Sequence, residues 1–105
     1  MVILNKENFE EEVKKYDGII MIDFWSDKCE PCKELIPEIE ELIKVYSSEI
    51  KFCKLDITKA RRLAIKEKVL GVPTIAIYTN GNKIDEITKD DVTKNNIEKM
   101  IKKYI

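Results

Sequence analysis

The stretch from Ile19 to Cys32, Ile-Ile-Met-Ile-Asp-Phe-Trp-Ser-Asp-Lys-Cys-Glu-Pro-Cys, decides the fold of this chain. Its first half is a continuous apolar run of strand length, interrupted only by Asp23. Continuous rather than alternating apolar residues are typical of a central strand that is covered on both faces. A polar turn then leads to Cys29 and Cys32 at the start of a predicted helix. Because positions i and i+3 share one face of a helix, the two sulfurs are expected to meet.

The rest of the sequence predicts four further strands and about four helices around this central strand. Pro37 lies inside the helix that starts near Cys29 and should kink it, because proline removes a backbone hydrogen-bond donor. Asn80-Gly81 predicts a tight hairpin turn. The predicted strands outside the central one are Val2–Leu4 at a sheet edge, 51–57, Ile75–Tyr78 and Lys83–Thr88, and the predicted helices cover about 5–17, 29–47, 59–68 and 97–104.

The order βαβαβαββα predicts an α/β fold in one domain, residues 1–105. Alternating strands and helices imply right-handed parallel crossovers, and the last two strands are expected to form an antiparallel hairpin. The sequence therefore predicts a mixed central sheet of about five strands, with helices on both of its faces.

Composition excludes several classes of protein. The chain has 105 residues, 44% of them hydrophobic, and 19 basic against 20 acidic side chains. This apolar content excludes disorder, and a net charge of −1 argues against a nucleic-acid binder or a protein attracted to anionic membranes. The chain has no histidine, which excludes catalysis by a histidine base and metal sites that contain a histidine ligand. Because the start of the chain does not resemble a signal peptide, we expect a cytoplasmic protein.

The two cysteines of Cys29-Glu30-Pro31-Cys32 are the candidate reactive groups. A disulfide that closes so small a loop stabilises a fold by roughly 2 kcal/mol, less than a long-range bond, so a reversible redox role explains it better. Helix dipole and free backbone N–H groups stabilise a thiolate at the first cysteine, and the thiolate is the attacking species in disulfide exchange. Pro31 suits an early helical position. There are two alternatives: the two cysteines are half of a metal site that has only Cys53 as a further ligand, or they are a buried pair without redox function.

The segment from Ile22 to Lys33 resembles the active-site segment of the thioredoxin family. Further similarities follow in order over essentially the whole chain: Pro37 in the next helix, Lys54-Leu55-Asp56, Gly71-Val72-Pro73-Thr74 and Asn80-Gly81. The resemblance implies the thioredoxin fold and a protein-disulfide reductase that is a monomer and holds no cofactor. Cys29 would attack a substrate disulfide, Cys32 would resolve the mixed disulfide, and a flavin-containing thioredoxin reductase would restore the dithiol.

Asp23 and Lys54 are candidate supporting residues. The resemblance places Asp23 behind the cysteines, where a buried carboxylate has a raised pKa and can accept the proton of Cys32. It also brings Lys54 close to this carboxylate from the neighbouring strand. The alternatives are an aspartate at a strand end in water and a solvated lysine.

Trp25, Val72 and Pro73 are candidate substrate-binding residues. The resemblance implies a cis Val72–Pro73 bond that places the Val72 backbone beside the sulfurs, and a Trp25 side chain next to the motif. The alternatives are a strand-start proline and a purely structural tryptophan. Cys53 is interpreted as a buried small hydrophobe.

The sequence departs from the family pattern at three places. Glu30 replaces the usual glycine between the cysteines, Lys28 replaces a tryptophan, and the stretch from Thr88 to Asp91 lacks a glycine on the substrate-facing side. These changes bear on redox potential, substrate range and recognition by a reductase. Other hypotheses are a dedicated donor to one enzyme system and a binding module without turnover, but a module would not need both cysteines and Asp23. A periplasmic-type oxidase is disfavoured by the lack of a histidine between the cysteines.

Overall fold

A computed structural model describes all 105 residues and contains one five-stranded sheet. The strands are β1 (Val2–Leu4), β2 (Ile19–Trp25), β3 (Lys51–Asp56), β4 (Thr74–Thr79) and β5 (Asn82–Thr88), in the order β1-β3-β2-β4-β5. β1 is an edge strand, as predicted. β2 is central and pairs in parallel with β3 and in antiparallel with β4. Its continuous apolar run is buried from Ile20 to Phe24 because helices cover both faces of the sheet.

The prediction of parallel crossovers was correct up to β3 and wrong for β4, which runs antiparallel to β2. A parallel crossover must carry the chain back along the full length of a strand. The connection between β3 and β4, residues 57–73, does not do this: Thr74 pairs with Phe24 near the end of β2, so β4 begins at the edge of the sheet at which β2 and β3 end. Alternation of strands and helices along the sequence does not fix which edge a connection reaches, because the direction of a strand depends on the partners with which it pairs.

The predicted helices form, with two local differences. The first one is a π-helical segment, Glu10–Lys14, in which the Lys15 N–H donates to the Glu10 carbonyl. The second is divided at Leu35 into α1 (Glu30–Glu34) and α2 (Ile36–Tyr46), which confirms the kink expected from Pro37. α3 is Arg61–Lys66 and α4 is Lys94–Lys102. None of the helices combines the length and the apolar character that crossing a membrane requires.

Two apolar cores, one on each face of the sheet, hold these elements together. The π-helical segment and α3 cover one face, whereas α2 and α4 cover the other. On β2, the side chains of Ile20, Ile22 and Phe24 enter the first core and Met21 enters the second. Asp23 follows Met21 by two residues, so their side chains lie on the same face of the sheet and the carboxylate is directed toward α2.

Candidate active site

The cysteine pair lies where β2 ends and α1 begins. After Trp25 the chain turns through three residues, and Cys29 is the N-cap of α1 with an extended backbone. The turn is held by Ser26, whose carbonyl accepts the Cys29 N–H at 3.0 Å and whose Oγ accepts the Lys28 N–H at 3.2 Å. Cys29 and Cys32 are joined by a disulfide, with Cα atoms 5.3 Å apart. The i, i+3 spacing on α1 therefore brings the sulfurs together, as predicted.

The two sulfurs differ in environment. Cys29 is partly exposed, whereas Cys32 is only 2% exposed. The backbone N–H of Cys32 donates to Sγ of Cys29 at 3.3 Å, and Pro31 occupies the first turn of α1 without a donor of its own. A hydrogen bond to sulfur favours its ionised form once the disulfide is reduced. The arrangement thus supplies one accessible sulfur with a donor aimed at it and one covered sulfur behind it.

Asp23 is a buried carboxyl group on the strand that leads to the cysteines. It is 5% exposed, and burial raises its pKa to about 6, against a smaller lowering by the charge of Lys54. The structure therefore shows a buried side chain rather than a strand end in water. Asp23 also lines a hollow of about 240 Å³ that it shares with Lys54, Glu40 and three isoleucines of α2. Through this hollow the carboxyl group can exchange a proton with solvent.

Lys54 lies across the β2–β3 ladder from Asp23, with which it is in register. Its Nζ lies 4.2 Å from the ring centroid of Trp25, a cation–π distance, and it forms no ion pair with Asp23. The lysine therefore acts on the aspartate at longer range and at the same time holds the partly exposed Trp25 at the end of β2.

The Val72–Pro73 peptide bond is cis, as the resemblance implied. Pro73 lines a hollow of about 280 Å³ together with Pro31 and Leu35, so the loop before β4 lies beside the cysteine motif. Two hydrogen bonds fix this loop: the Lys89 N–H donates to the Pro73 carbonyl at 2.8 Å, and Thr74 Oγ1 donates to the Gly71 carbonyl at 2.7 Å.

Three features of the site were not predicted from the sequence. Ser26 is buried and holds the turn before Cys29, a role that a single serine in a polar turn does not reveal. Lys89 has a φ of 52°, in the left-handed region that favours glycine. The sequence signal for this conformation was that the stretch from Thr88 to Asp91 lacks the glycine that the family pattern has there. Glu30 is exposed and pairs with Lys33 at 3.7 Å, not with Lys28.

Cys53 is fully buried in the core beside α3, which confirms its interpretation as a small hydrophobe. Burial raises the pKa of its thiol to about 11 and so disfavours the reactive thiolate. No three side chains of His, Cys, Asp or Glu form a cluster that could hold a metal ion.

Comparison with known proteins identifies the family. The thioredoxin family model matches residues 1–103. The chain is 60% identical to a thioredoxin of Acetoanaerobium sticklandii over the full length of both proteins, and 45% identical to one of Peptoclostridium acidaminophilum over all of this chain and 96% of that protein. It is 34% identical to a thioredoxin of Pseudomonas aeruginosa over 78% of this chain and 76% of that one. By the family match and these identities the chain belongs to the thioredoxin family, and together with its Cys29–Cys32 disulfide this makes it a thiol–disulfide oxidoreductase that reduces protein disulfides.

Proposed function

We propose that Cys29 is the nucleophile and Cys32 the resolving thiol of this reductase. The difference in exposure between the two sulfurs carries the proposal, because a folded substrate reaches only Cys29. The Cys29 thiolate attacks one sulfur of the substrate disulfide, and the other sulfur leaves as a thiolate that takes up a proton. Cys32 then attacks Cys29 in the mixed disulfide. The second substrate sulfur leaves as a thiolate that takes up a proton, so two electrons have passed from the Cys29–Cys32 dithiol to the substrate and the Cys29–Cys32 disulfide has formed.

Asp23 is the proposed acceptor of the Cys32 proton. A thiol must lose its proton to attack, and a buried carboxyl with a pKa of about 6 is ionised at neutral pH but still basic enough to take a proton. Asp23 lies on β2 only two residues before the strand ends and the turn to Cys29 begins, which supports this role. The hollow it shares with Lys54 lets the proton pass on to solvent. Lys54 tunes the affinity of Asp23 for the proton by its charge.

The substrate-binding surface is proposed to combine the Val72 backbone, Pro73 and the exposed face of Trp25. Val72 is partly exposed, and Pro73 lies in the same hollow as Pro31 of the motif. An extended segment of substrate next to its disulfide can pair with backbone groups at Val72 while its sulfur meets Cys29. Glu30 and Pro31 belong to the same surface and tune the reactivity of Cys29.

Thioredoxins carry no bound cofactor, so the electrons come from a separate reductase. We propose a flavin-containing thioredoxin reductase as that partner and disulfide-containing proteins as substrates. The protein would act in the cytoplasm, since a reducing compartment keeps the dithiol reduced. It would act as a single-domain monomer, with residues 1–105 as one unit, because the surface around Cys29 must stay open to both partners.

Insulin-disulfide reduction in the presence of dithiothreitol tests the function and the roles of the cysteines. Wild-type protein should accelerate the reaction. Cys29→Ser should abolish the acceleration, whereas Cys32→Ser should accumulate a mixed disulfide with insulin, visible by non-reducing electrophoresis. Cys53→Ala, which removes the buried third thiol, is the matched control and should retain the wild-type rate. Turnover of Cys32→Ser at the wild-type rate would contradict the assignment of the two cysteines. Repeating the assay with NADPH- and ferredoxin-linked reductases in place of dithiothreitol would identify the electron source.

A further inference from the structure

Positive charge is concentrated in one short segment around α3. Residues 57–70 carry five basic side chains and one acidic one, a net charge of +4, whereas the other 91 residues carry 14 basic and 19 acidic, a net charge of −5. The segment contains both arginines of the chain. We call its basic side chains the α3 patch: Lys59, Arg61, Arg62, Lys66 and Lys68.

No acidic side chain of the protein compensates the α3 patch. All five cations are exposed, and none of them takes part in an ion pair or donates a side-chain hydrogen bond. Glu67, the only carboxylate of the segment, is turned inward, where it accepts the Tyr78 hydroxyl at 2.7 Å and pairs with Lys14 at 3.2 Å. Glu86, which lines a hollow together with Lys68 and Leu70, pairs with Lys83 at 2.6 Å.

The position of the arginines does not serve the stability of α3. Arg61 and Arg62 occupy the first turn of the helix, which has no acidic residue. The helix dipole disfavours positive charge at that end. Two cations at an unfavourable end, with no partner in the chain, indicate a role outside the chain.

An apolar hollow lies beside the α3 patch. Leu70 is 89% exposed and Ile65 66% exposed, which is unusual for side chains of this size. They line a hollow of about 220 Å³ together with Ile57, Arg61, Ala64 and Val69. Leu70 precedes Val72, whose backbone is proposed to pair with substrate, by only two residues.

We propose that the α3 patch and the Leu70 hollow dock a protein partner that carries an acidic segment with an apolar side chain beside its disulfide. This inference rests on the proposed function and names the class of substrate that the site prefers. The carboxylates would pair with Arg61, Arg62 and Lys66, the apolar side chain would enter the hollow, and the disulfide would reach Cys29 past Val72. A protein segment fits better than a nucleic acid or an anionic membrane because an apolar hollow adjoins the cations and the rest of the chain is acidic.

Two synthetic peptides with one intramolecular disulfide test the proposal. They differ only in the flank of the first cysteine, Glu-Asp-Leu-Glu in one and Gln-Asn-Leu-Gln in the other. The rate constant for oxidation of the reduced protein is followed by the fluorescence of Trp25, the single tryptophan. At about 20 mM salt the acidic peptide should react about tenfold faster than the neutral one, and the ratio should fall toward unity at about 300 mM, since salt screens exposed charges.

Two charge-removing double variants form a matched pair for this experiment. Arg61→Gln with Arg62→Gln should remove most of the preference for the acidic peptide and leave the melting temperature unchanged or higher. Lys99→Gln with Lys102→Gln removes two unpaired exposed cations from α4, on the opposite face of the sheet, and should keep the preference. Leu70→Ser should slow both peptides about threefold, because both carry the leucine.

The outcomes separate this inference from the function on which it rests. Equal rate constants for the two peptides in wild-type protein, together with normal reduction of insulin, would overturn the docking surface alone. Failure to reduce either peptide or insulin would overturn the proposed function. Arg61- and Arg62-dependent binding of a DNA duplex or of phosphatidylserine vesicles, without discrimination between the peptides, would assign the patch to those ligands and overturn the protein partner.

Discussion

At the scale of single residues, the site depends on chemically equal groups placed in unequal surroundings. Cys29 and Cys32 are three positions apart, but one is partly exposed and accepts a backbone N–H while the other is covered. Asp23 and Glu30 are both acids; one is buried on β2 and the other is exposed and paired with Lys33. Burial and hydrogen bonding, not residue type, therefore assign their roles.

Asp23→Asn tests the proton acceptor. The variant should resolve the mixed disulfide about 10- to 100-fold more slowly at neutral pH, because it lacks a base for the Cys32 thiol. The difference should shrink below about pH 6, where the wild-type carboxyl is itself protonated. Rapid-quench measurement of mixed-disulfide decay from about pH 5 to 8 checks this.

The matched control for this experiment is Glu40→Gln, which removes an exposed carboxylate from the same hollow and should change nothing. Equal decay rates in wild-type protein and Asp23→Asn at pH 7.5 would exclude the aspartate as the base.

Glu30→Gln tests the departure inside the motif. The negative charge of Glu30 opposes the thiolate of Cys29. In the variant, the rate of Cys29 alkylation should therefore have its pH midpoint at a lower pH, and the redox potential should be less negative. Because Glu30 is exposed and pairs with Lys33, the shifts should stay below about half a pH unit and about 20 mV. Iodoacetamide kinetics and glutathione equilibration measure them. A midpoint at higher pH, or a more negative potential, would refute the electrostatic interpretation.

At the scale of elements, the ends of helices decide where the chain turns. Pro37 divides α1 from α2, and the end of α3 redirects the chain toward the loop that carries Pro73. That end is a Schellman motif: the Lys68 N–H donates to the Ile65 carbonyl at 2.9 Å and the Val69 N–H donates to the Ala64 carbonyl at 2.8 Å. Lys68 has a φ of 62°, a conformation that costs energy for any side chain with a Cβ.

Lys68→Gly should therefore raise the free energy of unfolding by about 0.5–1 kcal/mol, because glycine adopts the left-handed conformation without strain. Lys66→Gly, two residues earlier in regular helix, is the control and should lower the free energy by about 1 kcal/mol. Urea unfolding of the oxidised protein measures both. A loss of stability in Lys68→Gly equal to that in Lys66→Gly would show that the left-handed residue is not strained.

At the scale of the whole molecule, the ionised form of the proposed base opposes folding. Two cores cover the sheet, and Asp23 lies within the layer between β2 and α2. Its pKa of about 6 in the folded protein exceeds that of an unfolded aspartate, 3.8, so folding favours the protonated form. This contribution is complete below about pH 4 and is lost as the pH rises to about 6.

The comparison of wild-type protein with Asp23→Asn should show this loss directly. Between pH 4 and pH 7.5, the free energy of unfolding of the variant should rise by up to about 3 kcal/mol relative to that of the wild-type protein. Each pKa unit corresponds to about 1.36 kcal/mol. Urea unfolding of both oxidised proteins at the two pH values measures it. A stability difference that does not depend on pH would show that the carboxyl is not held in a low-dielectric site.

The sequence by itself determined the features that depend on neighbours along the chain. The apolar run from Ile19 predicts a central strand, Pro37 predicts a kink, and the spacing of Cys29 and Cys32 predicts their approach. Asn80-Gly81 predicts a hairpin, and both residues have positive φ in the turn between β4 and β5. Each of these follows from local sterics or periodicity, which a few adjacent residues fix.

Only the tertiary structure decided what depends on distant segments. The direction of β4 depends on its pairing with β2, which lies in a distant part of the sequence. The raised pKa of Asp23 requires α2 and β3 to exclude water, and the meeting of Pro73 with Pro31 joins residues 42 positions apart in the sequence. The cations around α3 form an uncompensated patch only because Glu67 is turned into the core. Desolvation and charge pairing depend on what packs in space, so a residue's own neighbours in the chain do not specify them.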